Sequence, residues 1–169
     1  EKLFFKEIKG SLLDFGCGPG TNGIHFLKKG YKVTFCDISD EALKKVREKI
    51  GLLKIKKNFR IINLSKQKNF FSKFKNKFDN IVCFSVLNNF GTKDNAQYYM
   101  RMFSKILKKE GKIIIDSNLK NKNNYKIINK KKHLFTTNPN NNYYLKMYFP
   151  KRGEFIKLIE KNKFKIANI

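Results

Sequence analysis

The sequence predicts an α/β protein: a doubly wound, mostly parallel sheet with helices on both faces. Three observations carry that reading. Short apolar runs alternate with segments whose apolar residues recur at helical spacing from residue 11 to about residue 117. The run "FDNIVCFSVL" (78–87) is apolar at nearly every position, as a central parallel strand covered on both faces should be. The first run, "LLDF", passes straight into a turn with four glycines in eight residues, "GCGPGTNG". A sheet of this class receives its ligand at the carboxyl ends of its strands.

The elements follow in order. "SLLDF" (11–15) reads as the first strand, "TNGIHFLKKG" (21–30) as a helix closed by Gly30, and "YKVTFCDI" (31–38) alternates like a strand, which together make one βαβ unit. Ser39 caps the next helix and Asp40 begins its acidic first turn; Ala42, Leu43, Val46 and Ile50 share one face, and Gly51 is the expected stop. "NFRIINL" (58–64) is the third strand, "SKQKNFFSKFKN" a weak helix, and 78–87 the fourth strand. "TKDNAQYYMRMFSKILKKEG" places Tyr99, Met102, Phe103, Ile106 and Leu107 at helical spacing, is expected to end at Gly111, and hands over to a fifth strand, "KIIIDS". From Asn118 to Pro150 the chain turns polar. Asn-rich pieces surround "KKHLFTT" and "YYLKMYF", read as a small hairpin insertion of two or three strands after the fifth strand, or as a loop. "RGEFIKLIEKN" is a helix with Phe155, Leu158 and Ile159 inward, followed by "FKIANI". The 169 residues, free of internal repeats, are expected to form a single domain, with 118–150 on its substrate side.

Composition bounds the function less than it promises. Thirty-eight basic against 13 acidic residues give a net charge of +25, which leaves nucleic acid open as a partner. The charge is nearly all lysine, with arginine only at Arg47, Arg60, Arg101 and Arg152, and it accompanies abundant Asn, Ile and Phe. That is the drift of A/T-rich codons, and a surface that reads phosphates and bases bidentately would hold more arginine. The three cysteines, Cys17, Cys36 and Cys83, lack metal-ligand spacing, so no metal is expected and a reducing, cytoplasmic setting is. No apolar run reaches the length of a membrane span.

The glycine turn carries the chemistry. "GPGTNG" (18–23) fits the dinucleotide pattern G-x-G-x-x-G, with Asp37 at the distance of a ribose acceptor. Pro19, however, removes an N–H from the cradle a pyrophosphate needs, and Asp14 at the strand's end would repel a diphosphate and suit a cation.

Asp14, Gly16, Gly18 and Gly20 in the spacing D-x-G-x-G-x-G resemble motif I of the class I S-adenosylmethionine-dependent methyltransferases. Further pieces recur in order. "VTFCDIS" looks like that family's second strand, "FDNIVCFSVLNNF" its fourth strand and exit loop, "ILKKEGKIIID" the turn into its fifth, and "FIKLIEKNKFKI" its last helix and following strand. The resemblance spans residues 11–169 and implies a Rossmann-like methyltransferase fold that binds S-adenosyl-L-methionine. By position it implies that the backbone at Gly16, Cys17, Gly18 and Gly20 wraps the methionine moiety, with Asp14 near its ammonium and Asp37 on the ribose. Ile38 would lie against the adenine, Asn63 or the backbone at Leu64 would meet its amino group, and Phe84 would close the fourth strand's end. It also implies a leading helix before Glu1 and a closing strand after Ile169, so the chain is expected to be trimmed at both ends.

The acceptor is less legible. Methyl transfer from a sulfonium needs an aligned nucleophile more than a reacting side chain, so no catalytic residue is assigned. Asn88 and Asn89 after the fourth strand, and His133 in the insertion, are candidates to orient substrate, while His25 reads as a packed or exposed helix residue. The prolines that mark amino-group methylation of adenine and the Pro-Cys pair of the cytosine C5 class are missing from "SVLN". A small-molecule acceptor is expected, with RNA or protein as the alternative. An NAD-dependent oxidoreductase and a non-catalytic nucleic-acid-binding module are the rivals from other classes.

Overall fold

A computed structural model of the chain describes residues 10–117, 125–129, 134–137 and 146–166. They fall into two compact units. Residues up to Phe84 together with Lys105–Ile115 form the first, and Ser85–Ser104 with the residues from Asp116 onward form the second.

The first unit is built on a five-stranded sheet of β1 (Ser11–Phe15), β2 (Lys32–Asp37), β3 (Phe59–Asn63), β4 (Phe78–Cys83) and β5 (Leu107–Ile115), in the order β3-β2-β1-β4-β5. Every pairing is parallel, as the sequence predicts. Leu12 and Leu13 on β1 and Ile81, Val82 and Cys83 on β4 are fully buried, so the two central strands are covered on both faces. The strand order reverses between β1 and β4, and in sheets of this class the carboxyl ends of the strands at such a point are where a ligand binds.

Helix α1 (Thr21–Lys28) buries Gly23, Ile24, Phe26 and Leu27, and Gly30 at φ +86° closes it by donating to the Leu27 carbonyl at 3.0 Å. In α2 (Asp40–Leu52) the Ser39 hydroxyl accepts the Ala42 N–H at 3.2 Å, and Leu43, Val46 and Ile50 face the core. The helix does not stop at Gly51. It runs to Leu52, and Lys54, at φ +53°, takes the left-handed position while its N–H reaches the Gly51 carbonyl. The weak helix expected at 65–76 shrinks to a single turn, α3 (Phe70–Lys73), whose Phe70 packs on Phe74 and is buried.

Two further boundaries differ from expectation. β4 ends at Cys83 rather than Leu87, because Ser85 adopts φ +58° and the chain turns into a 3-10 segment, Leu87–Phe90. Helix α4 (Lys93–Ile106) gives way to β5 at Leu107, five residues before the strand expected at Lys112. The N–H groups of Asn76 and Lys77 take the carbonyls of Lys105 and Ile106, which ends the helix. The residues from Lys108 to Gly111 form an irregularity between the Phe78–Leu107 and Asn80–Lys112 pairings.

The second unit holds the 3-10 segment, most of α4, an antiparallel sheet in the order β6 (Tyr125–Asn129), β7 (Leu134–Thr137), β8 (Lys146–Tyr148), and α5 (Arg152–Lys161). These three strands lie in the polar stretch 118–150 where two or three were expected. Glu154 accepts the Lys151 N–H at 3.0 Å and starts α5. Asn162 donates to the Leu158 carbonyl at 2.7 Å and accepts from Gln97 at 3.0 Å, which ties α5 to α4. Phe164–Ile166 form no strand, and the rest of "FKIANI" lies outside the described residues.

Candidate functional site

At the carboxyl end of β1 the backbone folds back on itself three times, with Gly16, Gly18 and Gly20 at φ +65°, +51° and +77°. Those angles exclude side chains at low cost only for glycine. The N–H groups of Gly16 and Cys17 both donate to the Cys36 carbonyl, at 2.8 and 3.0 Å, so the turn is pinned to β2. Its tip is pinned again: the Gly18 N–H donates to Asp37 Oδ2 at 2.8 Å, and Lys49 on α2 donates to the Pro19 carbonyl at 3.0 Å. A Cβ at Gly18 would meet nothing within 4 Å, so the tip faces open space.

Asp14 lies beneath the turn, 3% exposed, with Oδ2 accepting the Gly23 N–H at 2.9 Å. Burial pushes its carboxyl up to about 7 against the pull of that hydrogen bond, and the charge of Asp37 adds to the rise. Gly23 is the residue the site reading missed. A Cβ there would strike the Phe35 ring and lie 2.7 Å from Asp14 Oδ2, so only glycine lets α1 approach β1 this closely. Its signal was present as the third glycine of the G-x-G-x-x-G pattern.

Asp37, at the end of β2, uses its other oxygen to accept the Ser39 N–H at 2.9 Å. Next to it Ile38 is 71% exposed, an apolar face directed to solvent beside a carboxylate. Asn63 does not offer its oxygen as expected. Its Oδ1 already accepts the Ser65 N–H at 2.8 Å and the Ser65 hydroxyl at 2.6 Å, and its Nδ2 donates to Asp40 at 2.7 Å. Both lone pairs of that oxygen are used, and the neighbouring Leu64 is half-buried. Phe84 is half-buried against the core. The Cys17 thiol, buried, is pushed well above its ordinary range by burial and the neighbouring Asp14 and Asp37, which disfavours the thiolate.

In the second unit the substrate candidates separate. Asn88 is 2% exposed and donates to the Tyr148 carbonyl at 2.9 Å, holding β8 against the 3-10 segment; it presents no amide to solvent. Asn89 is exposed and donates to the Ser85 carbonyl at 3.0 Å. Ser85 in turn donates its N–H to Asp116 at 2.6 Å, a link between the residues that follow β4 and those that follow β5. His133 lies outside the described residues. His25 is exposed on α1, its ring edge-on to Phe26. Among the described residues no group of His, Cys, Asp and Glu could hold a metal ion, and no helix is long and apolar enough to cross a membrane.

A sequence profile described as "methyltransferase domain" matches residues 13–113, from the strand beneath the glycine turn to the middle of β5. The chain belongs to the methyltransferase domain family. A putative methyltransferase of Bacillus subtilis, YqeM, is 30% identical over 109 residues, which cover 64% of this chain and 42% of that protein. The chain spans about half the length of the curated relatives it matches, 42% of one and 57% of another. Among solved structures, a SAM-dependent methyltransferase of Methanosarcina mazei superposes with a TM-score of 0.79 at 19% identity, covering 99% of this chain and 86% of that one. The 1,6-didemethyltoxoflavin N1-methyltransferase of Burkholderia thailandensis, solved with that compound and S-adenosylhomocysteine, superposes at 0.70 with 16% identity, covering 98% and 64%. This methyltransferase domain therefore has the Rossmann-like fold of its family, and the family's cofactor is S-adenosylmethionine.

Proposed function

We propose that the chain transfers the methyl group of S-adenosylmethionine to a small-molecule acceptor. The observation that carries this reading is the pinned glycine turn. Its tip faces open space at Gly18 and is flanked by the Asp37 carboxylate and the exposed Ile38. The residues fit the cofactor's parts. Asp37 would accept from the ribose hydroxyls, Ile38 and the Leu64 backbone would bound the adenine, and the turn from Gly16 through Cys17 and Gly18 to Gly20 would wrap the amino-acid end. Phe84 would stand behind the ring system, and Asn63 would act by fixing Ser65 and Asp40. The cofactor supplies a methyl already activated on a sulfonium.

Asp14 acts from below. Buried and held on the Gly23 N–H, it lies under the turn without touching a ligand directly, and its ionised form favours a cationic group above it and disfavours a diphosphate. Chain order places Ser85–Asn89 directly after β4, so the exposed Asn89 is the amide assigned to orient an acceptor. The acceptor class rests on the Burkholderia enzyme, which binds a small heterocycle, and RNA or protein acceptors are the outcomes an acceptor screen would separate. A cytoplasmic setting accords with the three cysteines, which are buried and not in disulfides.

The test is calorimetric titration of S-adenosylmethionine and of NAD into the chain, with Asp37→Ala and Asp37→Asn alongside. S-adenosylmethionine should bind, and Asp37→Ala should weaken it at least tenfold, about 1.4 kcal/mol. Because Asp37 accepts the Gly18 N–H on one oxygen and the Ser39 N–H on the other, Asp37→Asn keeps an acceptor for one of them while removing the charge, and should weaken binding while lowering the melting temperature less than Asp37→Ala does. Binding of NAD without S-adenosylmethionine would overturn the reading.

A further inference from the structure

At the opposite end of the same strands, their amino ends, the first unit has a hollow of about 650 Å³ lined by Gly10, Ser11, Tyr31, Asp79 and four lysines, Lys29, Lys32, Lys77 and Lys108. Sheet register sets them side by side. Lys32 stands opposite Ser11 across β1 and β2, and the Ser11 N–H and hydroxyl reach Asp79 Oδ2 on β4 at 2.8 and 2.7 Å. Lys108 donates to the other Asp79 oxygen at 2.7 Å. The one carboxylate among the described residues of the hollow is thus already satisfied by three short contacts, and the Asp79 backbone N–H donates to the Ser11 hydroxyl at 3.1 Å. Although partial burial alone would raise it, the hydrogen bonds from Lys108 and Ser11 hold Asp79 down at about 2, so its charge is permanent. Lys29, Lys32 and Lys77 are exposed, and among the described residues no carboxylate lies within ion-pair distance of them. Among the described residues that line the hollow, four cations against one anion give a charge of +3.

Two ordinary explanations for surface lysines fall short here. A lysine near the carboxyl end of a helix complements its dipole, which accounts for Lys29 after α1. It does not account for Lys32 at the start of β2, Lys77 before β4 or Lys108 on β5. Codon drift toward lysine predicts scatter over exposed helix faces, not four lysines from separate elements around one concavity.

We propose that this hollow binds a small anion carrying two or more phosphate groups, at a site separate from the methyl-transfer site. Lysine is a compact point charge whose three donors suit phosphate oxygens without imposing the planar fork of arginine. The hollow has the volume of a small-ligand site. Its cations converge on one concavity instead of lining a track, which favours a compact oligophosphate over a nucleic-acid strand.

The experiment is calorimetric titration of inorganic tripolyphosphate into the chain at low salt, with the double variant Lys32→Gln/Lys77→Gln. A control, Lys44→Gln/Lys45→Gln, removes equal charge from the exposed face of α2, where those lysines pair with Glu48 and Glu41. The hollow variant should lose at least tenfold in affinity and the control less than threefold, with S-adenosylmethionine binding unchanged in both. Equal losses in the two variants would mean that tripolyphosphate senses only the overall charge, and would overturn the proposal, as would a failure to bind. So would tighter binding of a short single-stranded RNA that both lysine pairs affect equally. Since S-adenosylmethionine binding is read on the same samples, failure at the hollow and failure of the methyl-transfer reading are told apart.

Discussion

Asp14 is where local chemistry departs furthest from ordinary behaviour. A carboxyl held at about 7 in the folded chain, against 3.8 when free, binds its proton more tightly in the native state. Its contribution to stability is therefore intact below about pH 4 and is lost as pH rises through about 7. That interval corresponds to on the order of 4 kcal/mol. The melting temperature should fall across it, and Asp14→Asn, which keeps an acceptor for the Gly23 N–H, should flatten that part of the profile. An unchanged slope in the variant would mean that another group titrates there. Gly23 gives a second reading of the same contact. Gly23→Ala pushes a methyl into Phe35 and Asp14 and should cost about 1–3 kcal/mol, measured by denaturant unfolding, whereas Gly51→Ala, with open space around its Cβ, should not destabilise the chain. These residues were legible in part. Spacing exposed the glycines and both aspartates, because motif chemistry is local. It could not show that Asn63 spends its oxygen on Ser65, which lies two residues away, because which neighbour an amide chooses depends on the turn that follows the strand.

Among the elements, the alternation of strands and helices in the first unit followed from periodicity, the order of the strands did not, and the boundaries that moved did so for tertiary reasons. α4 ends where Asn76 and Lys77, some thirty residues earlier, donate their N–H groups to its last carbonyls. No local pattern in "ILKKEG" announces that capture, and the run of helix-favouring lysines pointed the other way. β4 stops at Cys83 because Ser85 takes a left-handed conformation that apolar continuity through Leu87 does not foretell. Asn88 illustrates the same limit: an amide after the fourth strand reads as a substrate contact, yet it is the buried fastening of the small sheet to the 3-10 segment. Asn88→Leu removes the donor and leaves the Tyr148 carbonyl unpaired, and should destabilise the chain by about 1–3 kcal/mol. S-adenosylmethionine affinity should stay within twofold. A variant that loses cofactor binding while keeping its melting temperature would instead return Asn88 to the ligand.

For the molecule as a whole, the dominant physical fact is a net charge of +25. The ion pairs among the described residues do little to offset it. Lys44–Glu48, Lys45–Glu41 and Lys66–Asp40 have both side chains more than half exposed, and even Lys108–Asp79 is only partly shielded. Exposed pairs of this kind contribute about 0–1 kcal/mol each, so repulsion among the remaining lysines governs the response to ionic strength. Salt at about 0.1 M screens charges beyond about 10 Å, which relieves that repulsion more than it weakens pairs in contact. The melting temperature should therefore rise as sodium chloride increases from about 0.02 to about 0.3 M, and a fall would show that attraction between paired charges prevails. The same titration separates general screening from the lysine hollow. At matched ionic strength, tripolyphosphate should raise the melting temperature beyond chloride in the wild-type chain, because a ligand that binds only the native state stabilises by mass action. In Lys32→Gln/Lys77→Gln the two salts should act alike, since only screening is left to either of them.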